Sequence, residues 1–404
     1  MRHPVFAVHV NSIEATVNSI LREWRDLWPG GLRKEEYSTL NLMALCRQGP
    51  LGYNLARCQD CRHKEWFPSS CGNRHCPNCL GPRQAEWAEK VCNRLPDCPH
   101  FHVVFTVPQE FHDFFERNYR IAADELIGAA SETLKAFQKN NWQMDGGFLA
   151  VLHTWGRALN WHPHLHLLVS AGGRDVSSGR WRQARDNYLF PVRSMSKVFR
   201  AILLRRIEAR EDDSEIQWPD GLETVEARRD WRVKLAGRNW NIFSRATLGN
   251  TRAVVRYLAR YTSRIAMSNQ RIKRVDENAR TVSFEWKDYK DGEKTKEMTM
   301  TGATFLRCLS RHLVPRRFRR VRYFGLLAGA GGGHRDLPGA PQSPIGEKAP
   351  KRTHPTCQKC GGHNWKCTRF RCGQFPRSKS TLEAVQRLAG QGENRFSLPP
   401  PDSG

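Results

Sequence analysis

The sequence predicts an α+β fold: a ferredoxin-like sandwich of an antiparallel sheet with helices, accompanied by small zinc-binding modules. Three observations lead there. A strand, a long helix and two further strands follow one another between residues 100 and 170, which is how such a sandwich opens. The last of these strands, "NWHPHLHLLVS" (160–170), carries three histidines at alternating positions. Cysteines in C-x2-C pairs flank this region on both sides, and such pairs are suited to bite a zinc ion.

The chain has 404 residues, which allows two to four domains. Lys and Arg number 65 against 40 Asp and Glu, a net charge of +25. An excess of that size points to a polyanion, with nucleic acid the first candidate and an anionic membrane the competitor. No run approaches the roughly 18 apolar residues that a membrane span needs. The N-terminus "MRHPVFAVHVNSIEATVNSI" has no sustained apolar core or cleavage site. The chain therefore reads as soluble and intracellular, without a membrane partner. In a reducing compartment its 13 cysteines serve as metal ligands or core residues rather than disulfides.

Residues 12–48 read as two helices, the first with Ile13, Val17, Ile20, Leu21 and Trp24 at helical spacing and ended by Pro29-Gly30-Gly31. Cysteine-rich loops follow from Cys58 to Cys79, then a helix near 83–95. "HFHVVFTVP" (100–108) is a strand ended by proline, and a helix covers about 113–139. "GGFLAVLHTWG" (146–156) is the second strand and the histidine segment the third. Residues 172–235 are charged and broken, with one clear helix in "SMSKVFRAILLRRIEAR". Residues 250–268 form another helix. "TVSFEWKDYKDGEKTKEMTMT" is a hairpin turning near Asp291-Gly292. A short helix and an arginine-rich segment come next, and Gly and Pro from about 328 mark a linker. These divisions give a helical N-terminal region with a zinc module (1–96), a catalytic domain (97–272) and a hairpin-helix-basic unit (273–328). A flexible C-terminal part (329–404) carries its own cysteine cluster, with a disordered end.

On a strand, residues two apart share a face. His164 and His166 therefore project together, while Leu165, Leu167 and Val169 point to a core. Two adjacent imidazoles suit a divalent metal. His153, on the preceding strand, can reach the same ion if the strands pair, with His162 and His102 as alternatives. Helix 252–266 holds Tyr257 and Tyr261 one turn apart. Beside them runs the row Arg252, Arg256, Arg260, Arg264, with Val254, Leu258 and Ile265 as the apolar stripe. Together these parts suit phosphoryl transfer. A histidine-bound Mg²⁺ or Mn²⁺ offsets charge on the phosphate, a tyrosine attacks, and arginines hold flanking phosphates.

Cys58-x2-Cys61 and Cys76-x2-Cys79 lie 14 residues apart, and their spacing predicts one closed structural zinc site, with Cys71, His63 or His75 able to replace a ligand. Cys357, Cys360, Cys367 and Cys372, with His354 and His363 nearby, form a possible second site. Cys46, Cys92, Cys98 and Cys308 read as incidental. In "RRFRRVRYF" (316–324), Arg316, Arg317, Arg319 and Arg320 would track a DNA backbone, with bases stacked on Phe318, Tyr323 or Phe324.

"LHTWG" followed by "HPHLH" and then "YLARYTSRIAMSN" resembles the HUH rolling-circle transposases of bacterial insertion sequences. The closest group is the two-tyrosine one named after insertion sequence ninety-one. "CQDC…SCGNRHCPNC" resembles that family's zinc module and "HLVPRRFRRVRYFGLLA" its closing segment. The resemblance implies an HUH endonuclease fold with His164 and His166 as metal ligands and Tyr257 and Tyr261 as nucleophiles. His153 fits the third histidine of relaxases in the same superfamily. The resemblance also implies cleavage of single-stranded transposon ends to a 5′-phosphotyrosine, strand transfer into a target, and a bacterial cytoplasmic setting at the nucleoid. A replication initiator or relaxase-like nickase shares this chemistry, but no "GxxxxGK[ST]" loop of a fused helicase is present. A non-catalytic zinc-dependent DNA-binding protein would explain charge and cysteines, but not the histidines and tyrosines.

Overall fold

The computed structural model describes residues 15–79, 81–184, 189–247, 251–262, 266–288, 291–292, 294–329, 333, 335–341 and 356–371. The chain opens with α1 (Val17–Glu23) and α2 (Lys34–Ala44), then a hairpin of β1 (Tyr53–Cys58) and β2 (Lys64–Pro68). Helix α3 (Gly81–Arg94) leads to β3 (His100–Thr106), α4 (His112–Arg117) and α5 (Tyr119–Trp142). Next come β4 (Met144–Trp155), β5 (Trp161–Asp175), the short β6 (Trp181–Gln183), α6 (Val192–Glu208), α7 (Val225–Ala236) and β7 (Ile242–Ala246). Helix α8 (Thr251–Thr262), β8 (Ile272–Asp276), β9 (Thr281–Asp288), β10 (Lys294–Thr301) and α9 (Gly302–Arg311) follow, then β11 (Val321–Gly325) and β12 (Trp365–Phe370).

The central sheet runs β11-β4-β5-β3-β7, with β6 added to β5. Its strands pair antiparallel. Counting from β3 and leaving out β6, the strands β4-β5-β3-β7 lie in the order second, third, first, fourth, joined by α5 and by α6 with α7. This is the predicted ferredoxin-like sandwich. The fourth strand, β7, was not visible as a strand in the sequence: it has five residues and sits on the sheet edge, where little apolar alternation is required.

Alternation sorts β5 cleanly. Leu165, Leu167, Val169 and Ala171 join a core with Phe101, Phe105, Phe148 and Leu152 beneath α5 and α6. The opposite face carries His164, His166 and Leu168. Leu168 packs with Leu149 and Val151 of β4 against Val91 and Leu95 from α3 and its end, and against Val255 and Leu258 of α8. Two helices thus roof one sheet face, and α3 and α8 roof the histidine face. The start of α8 is tied to β3: Thr247 N–H donates to the His100 carbonyl at 2.8 Å, the Thr247 and Thr251 hydroxyls lie 2.9 Å apart, and the Thr251 hydroxyl meets His100 Nδ1 at 3.4 Å.

The segments read as separate units at 1–96 and 273–328 share one apolar core. Val17, Ile20, Leu21 and Trp24 pack with Val282, Phe284, Phe305 and Leu309. Leu327, just ahead of the region read as a linker, is fully buried beneath α3 and α8, and within that region Leu337 and Ala340 are also buried. Strands β8, β9 and β10 form a second sheet in the order β10-β9-β8, and a third, β12-β1-β2, joins the far end of the chain to the N-terminal hairpin. Among the described residues no helix is long and apolar enough to cross a membrane.

Candidate active site and cysteine centres

The β4–β5 hairpin builds the histidine centre. Its register sets His153 directly across from His164, and His166 across from Val151. Odd residues of β4 and even residues of β5 face the same side, so three imidazoles converge. One nitrogen from each of His153, His164 and His166 falls within 4.8 Å of the others. His164 Nε2 and His166 Nε2 are 3.2 Å apart. His153 and His166 are buried while His164 is half-buried, so the site is open on one side.

Hydrogen bonds fix which nitrogen is presented. His164 Nδ1 donates to the His162 carbonyl at 2.7 Å, which leaves Nε2 with its lone pair turned to the centre. His166 Nδ1 lies 2.8 Å from His102 Nε2, the rings stacked at 9°. Outer partners of this kind orient metal-binding imidazoles and set their tautomer. Burial pushes His164 down to about 3 and His102 to about 4. It also holds His153 and His166 well below the usual histidine range. Neutral imidazole is the metal-binding form, so the donor set fits a divalent cation. His162 supplies its carbonyl, and His102 stands behind His166 as a second layer.

The tyrosines predicted as nucleophiles, Tyr257 and Tyr261, lie in α8. Their side chains, and that of Arg260, lie outside the described residues, as do Arg264, Ile265, Tyr188 and Cys372. The helix places Val255 and Leu258 against the histidine face with Arg256 exposed. The buried stripe is therefore Val255 and Leu258, with Val254 partly buried at its edge.

The basic segment divides. Arg316, Arg317 and Arg319 are exposed. Arg317 and Arg319 line a cavity of about 580 Å³ with Arg94, Arg120, Arg322 and Tyr323. Arg320 and Phe318 are each only 4% exposed and cannot meet a DNA strand as expected. Both residues precede β11; Phe318 N–H closes a turn on the Pro315 carbonyl at 3.1 Å, and the two side chains point inward. Phe318 packs edge-on to Tyr119 at 5.6 Å. Arg320 lies over Trp155 at 5.1 Å and donates to the His312 carbonyl at 3.3 Å, while Trp155 stacks on His153 at 4.9 Å. Arg320 thus braces the histidine centre from behind. The other aromatics are also engaged, Phe324 against Phe148 at 5.0 Å and Tyr323 under the Arg94 guanidinium at 4.4 Å.

The cysteines regroup. Cys58 and Cys61 do not meet Cys76 and Cys79. One cluster joins Cys46, Cys71, Cys76 and Cys79, and another joins Cys58, Cys61, Cys357 and Cys360. Local C-x2-C spacing identified half-sites correctly but could not say which halves combine. Cys46 gave no spacing signal, because it has no cysteine two or three residues away. Cys367 is exposed on β12 and belongs to neither cluster. His75, a replacement candidate, accepts from Val314 N–H at 3.3 Å instead. His63 faces Glu65 at 3.2 Å.

In the first cluster the Cys46 and Cys71 sulfurs lie 3.5 and 3.6 Å from that of Cys79. Tetrahedral zinc with Zn–S bonds of about 2.3 Å spaces its sulfurs by about 3.8 Å, whereas a disulfide needs about 2.05 Å. The separations fit a metal and exclude a bond. Donors surround the sulfurs as thiolates require: Cys71 N–H to Cys46 Sγ at 3.4 Å, Asn73 N–H to Cys71 Sγ at 3.4 Å, and Asn18 Nδ2 to Cys76 Sγ at 3.2 Å.

Comparison with known proteins matches this architecture. Residues 16–107 match the family model described as "Transposase zinc-binding domain", and residues 147–334 the one described as "Putative transposase". The chain is 34% identical over 293 residues to "Putative transposase y4qJ" of Sinorhizobium fredii, covering 71% of this chain and 73% of that protein. It is 32% identical over 311 residues to the transposase for insertion sequence element IS801 of Pseudomonas savastanoi pv. phaseolicola, covering 74% and 72%. Among solved structures, the metal-bound conjugative relaxase TrwC in complex with oriT DNA aligns at 11% identity. That alignment covers 41% of this chain and 71% of TrwC with a TM-score of 0.23. With relatives of this identity and coverage and a matching zinc-binding domain, the chain belongs to the insertion sequence ninety-one family of transposases and is a DNA transposase.

Proposed function

We propose that this transposase cuts one DNA strand with a tyrosine hydroxyl beside a Mg²⁺ or Mn²⁺ ion held by His153, His164 and His166. The observation that carries the reading is the convergence of three neutral imidazole donors within 4.8 Å on the sheet face that α8 covers. Three protein ligands leave coordination positions open, as a catalytic site needs. When bound, the ion would polarise the scissile phosphate and offset its developing charge.

The residues of the chain do the rest. The Tyr257 oxygen attacks phosphorus, its proton leaves, and the bond from phosphorus to the 3′ oxygen breaks. The products are a 5′-phosphotyrosine and a 3′-hydroxyl. One phosphoester replaces another, so a second 3′-hydroxyl can resolve the link without an outside energy source. Arg256, Arg260 and Arg264 hold flanking phosphates, and Arg316, Arg317 and Arg319 guide the single strand. Tyr261 serves the second strand end. Cys46, Cys71, Cys76 and Cys79 hold a structural zinc with no open position. The work takes place on nucleoid DNA in the cytoplasm.

The test is to incubate the protein with single-stranded oligonucleotides from the ends of its element, with and without Mg²⁺ or Mn²⁺, and to map any covalent adduct by mass spectrometry. Metal-dependent modification of Tyr257 is expected. Tyr257→Phe should remove the first nick, and Tyr261→Phe should leave nicking but block complete transposition. An adduct elsewhere, for example on Tyr188, or none at all, would overturn the nucleophile assignment.

A further inference from the structure

We infer that Cys58, Cys61, Cys357 and Cys360 bind a second structural zinc ion, which fastens the C-terminal segment 356–371 into the N-terminal module. Neither family model reaches that segment, since they match residues 16–107 and 147–334. The inference does not depend on the DNA-cleaving reading above.

The sulfur geometry comes first. The four sulfurs lie within 4.8 Å of one another. Cys58 and Cys360 are 3.7 Å apart, as are Cys61 and Cys357, and the members of these pairs are 302 and 296 residues apart in the chain. These distances match the sulfur edges of tetrahedral zinc, about 3.8 Å for Zn–S bonds of about 2.3 Å.

Each half-site is a tight turn that presents sulfur. Arg62 N–H returns to the Cys58 carbonyl at 3.0 Å, and Gly361 N–H to the Cys357 carbonyl at 2.8 Å. Gly362 N–H donates to Cys360 Sγ at 3.4 Å. The two turns have the same form, as if one half-site had been built twice and then brought face to face.

The second observation concerns what else could hold the segment. Strand β12 pairs along the whole of β1, from Tyr53 opposite Phe370 to Cys58 opposite Trp365. Yet among the described residues the buried apolar cluster there consists of Ala56, Cys58, Cys357 and Trp365, with Cys61 and Phe67 packed against it. A hairpin extended by one strand over so small a core is marginal in water, and domains with small cores depend on staples such as structural metals. Half of this core consists of the cysteines themselves. Four thiols brought to one point without a metal would give little reason for β12 to stay, whereas zinc contributes folding energy directly.

The experiment uses the full chain. Zinc and iron are measured in the native protein and in variants, and thiol reactivity is followed residue by residue with an alkylating agent and mass spectrometry. Relative to the native protein, Cys357→Ser with Cys360→Ser should lose one zinc. Cys58→Ser with Cys61→Ser should also lose one, and the four substitutions together still only one. In the unmodified protein, exposed Cys367 should alkylate at once. Cys58, Cys61, Cys357 and Cys360 should stay protected, then become reactive together when a chelator is added. This wild-type measurement stands even if a variant fails to fold. Alkylation of Cys357 and Cys360 as fast as Cys367, loss of two zinc ions from the fourfold variant, or iron in place of zinc would overturn the inference.

Discussion

The histidine centre and the cysteine centres are both clusters of potential metal-ligand atoms within 4.8 Å of one another, but they are built in opposite ways. The histidines come from two adjacent strands of one hairpin, in a sheet that would hold its shape without them. Leu165, Leu167 and Val169 on the other side of β5 supply the core. The cysteines come from turns and element ends, and four sulfurs close each coordination shell; Cys58, Cys61, Cys357 and Cys360 have little apolar material around them, while Cys46, Cys71, Cys76 and Cys79 join α1 and α2 to the core of β9 and α9. A site that leaves positions open on a rigid frame is suited to chemistry. A site that closes itself between weakly held segments is suited to holding the chain together.

That contrast yields predictions in order of size. The largest effect should come from His164→Ala or His166→Ala, which should lower metal-dependent cleavage by about 10³-fold or more, because metal stabilisation of a phosphoryl transition state is worth several kcal/mol. Melting temperature and cysteine-bound zinc should not change. A mutant that cuts normally would remove the histidines from the chemistry. Next, Cys46→Ser or Cys71→Ser should release one zinc and melt the core shared by Val17, Ile20, Phe284 and Phe305, followed by tryptophan fluorescence at Trp24. Retained zinc with an unchanged melting curve would show that this cluster is not a metal site.

A smaller effect should follow from His102→Phe, which removes the partner of His166 Nδ1 and keeps an aromatic ring. Metal affinity should fall about 10- to 100-fold, the usual cost of losing an outer partner. The read-out is the metal concentration giving half-maximal cleavage, with saturating activity retained. An unchanged midpoint would assign His102 to packing alone. The smallest effect should come from Arg316→Glu with Arg317→Glu, which should weaken single-strand binding and shallow the log–log salt dependence by about 0.7 per lost phosphate contact. Arg320→Met should leave the slope as it is and lower stability instead, because its guanidinium is buried against Trp155.

The legible part of the molecule was the part governed by period and register. The alternation of histidine and leucine in β5 and the apolar run of β4 revealed the sheet, its core face and the histidine cluster, including His153 across the strand from His164. Short edge elements without an apolar pattern, β7 above all, were not legible. Nor was the inward turn of Phe318 and Arg320, because composition shows charge but not which way a residue in a turn faces. The cysteine pairing failed for a third reason. Spacing encodes half-sites, while the choice of partner belongs to tertiary structure, and Cys46 has no local partner to mark it.

The separation of Cys61 from Cys357 by 296 residues also has a meaning in time. The cluster of Cys46, Cys71, Cys76 and Cys79 is complete once residue 79 has left the ribosome. The other pair must wait while almost 300 more residues are made, about 15 to 60 s at 5–20 residues per second. Through that interval Cys58 and Cys61 form an open half-site, and one edge of β1 has no neighbour. The central sheet, including both histidine strands, is synthesised within the same interval. Among the described residues, the last strand to arrive therefore closes the first hairpin made, and the order of synthesis keeps that hairpin's edge waiting for this partner.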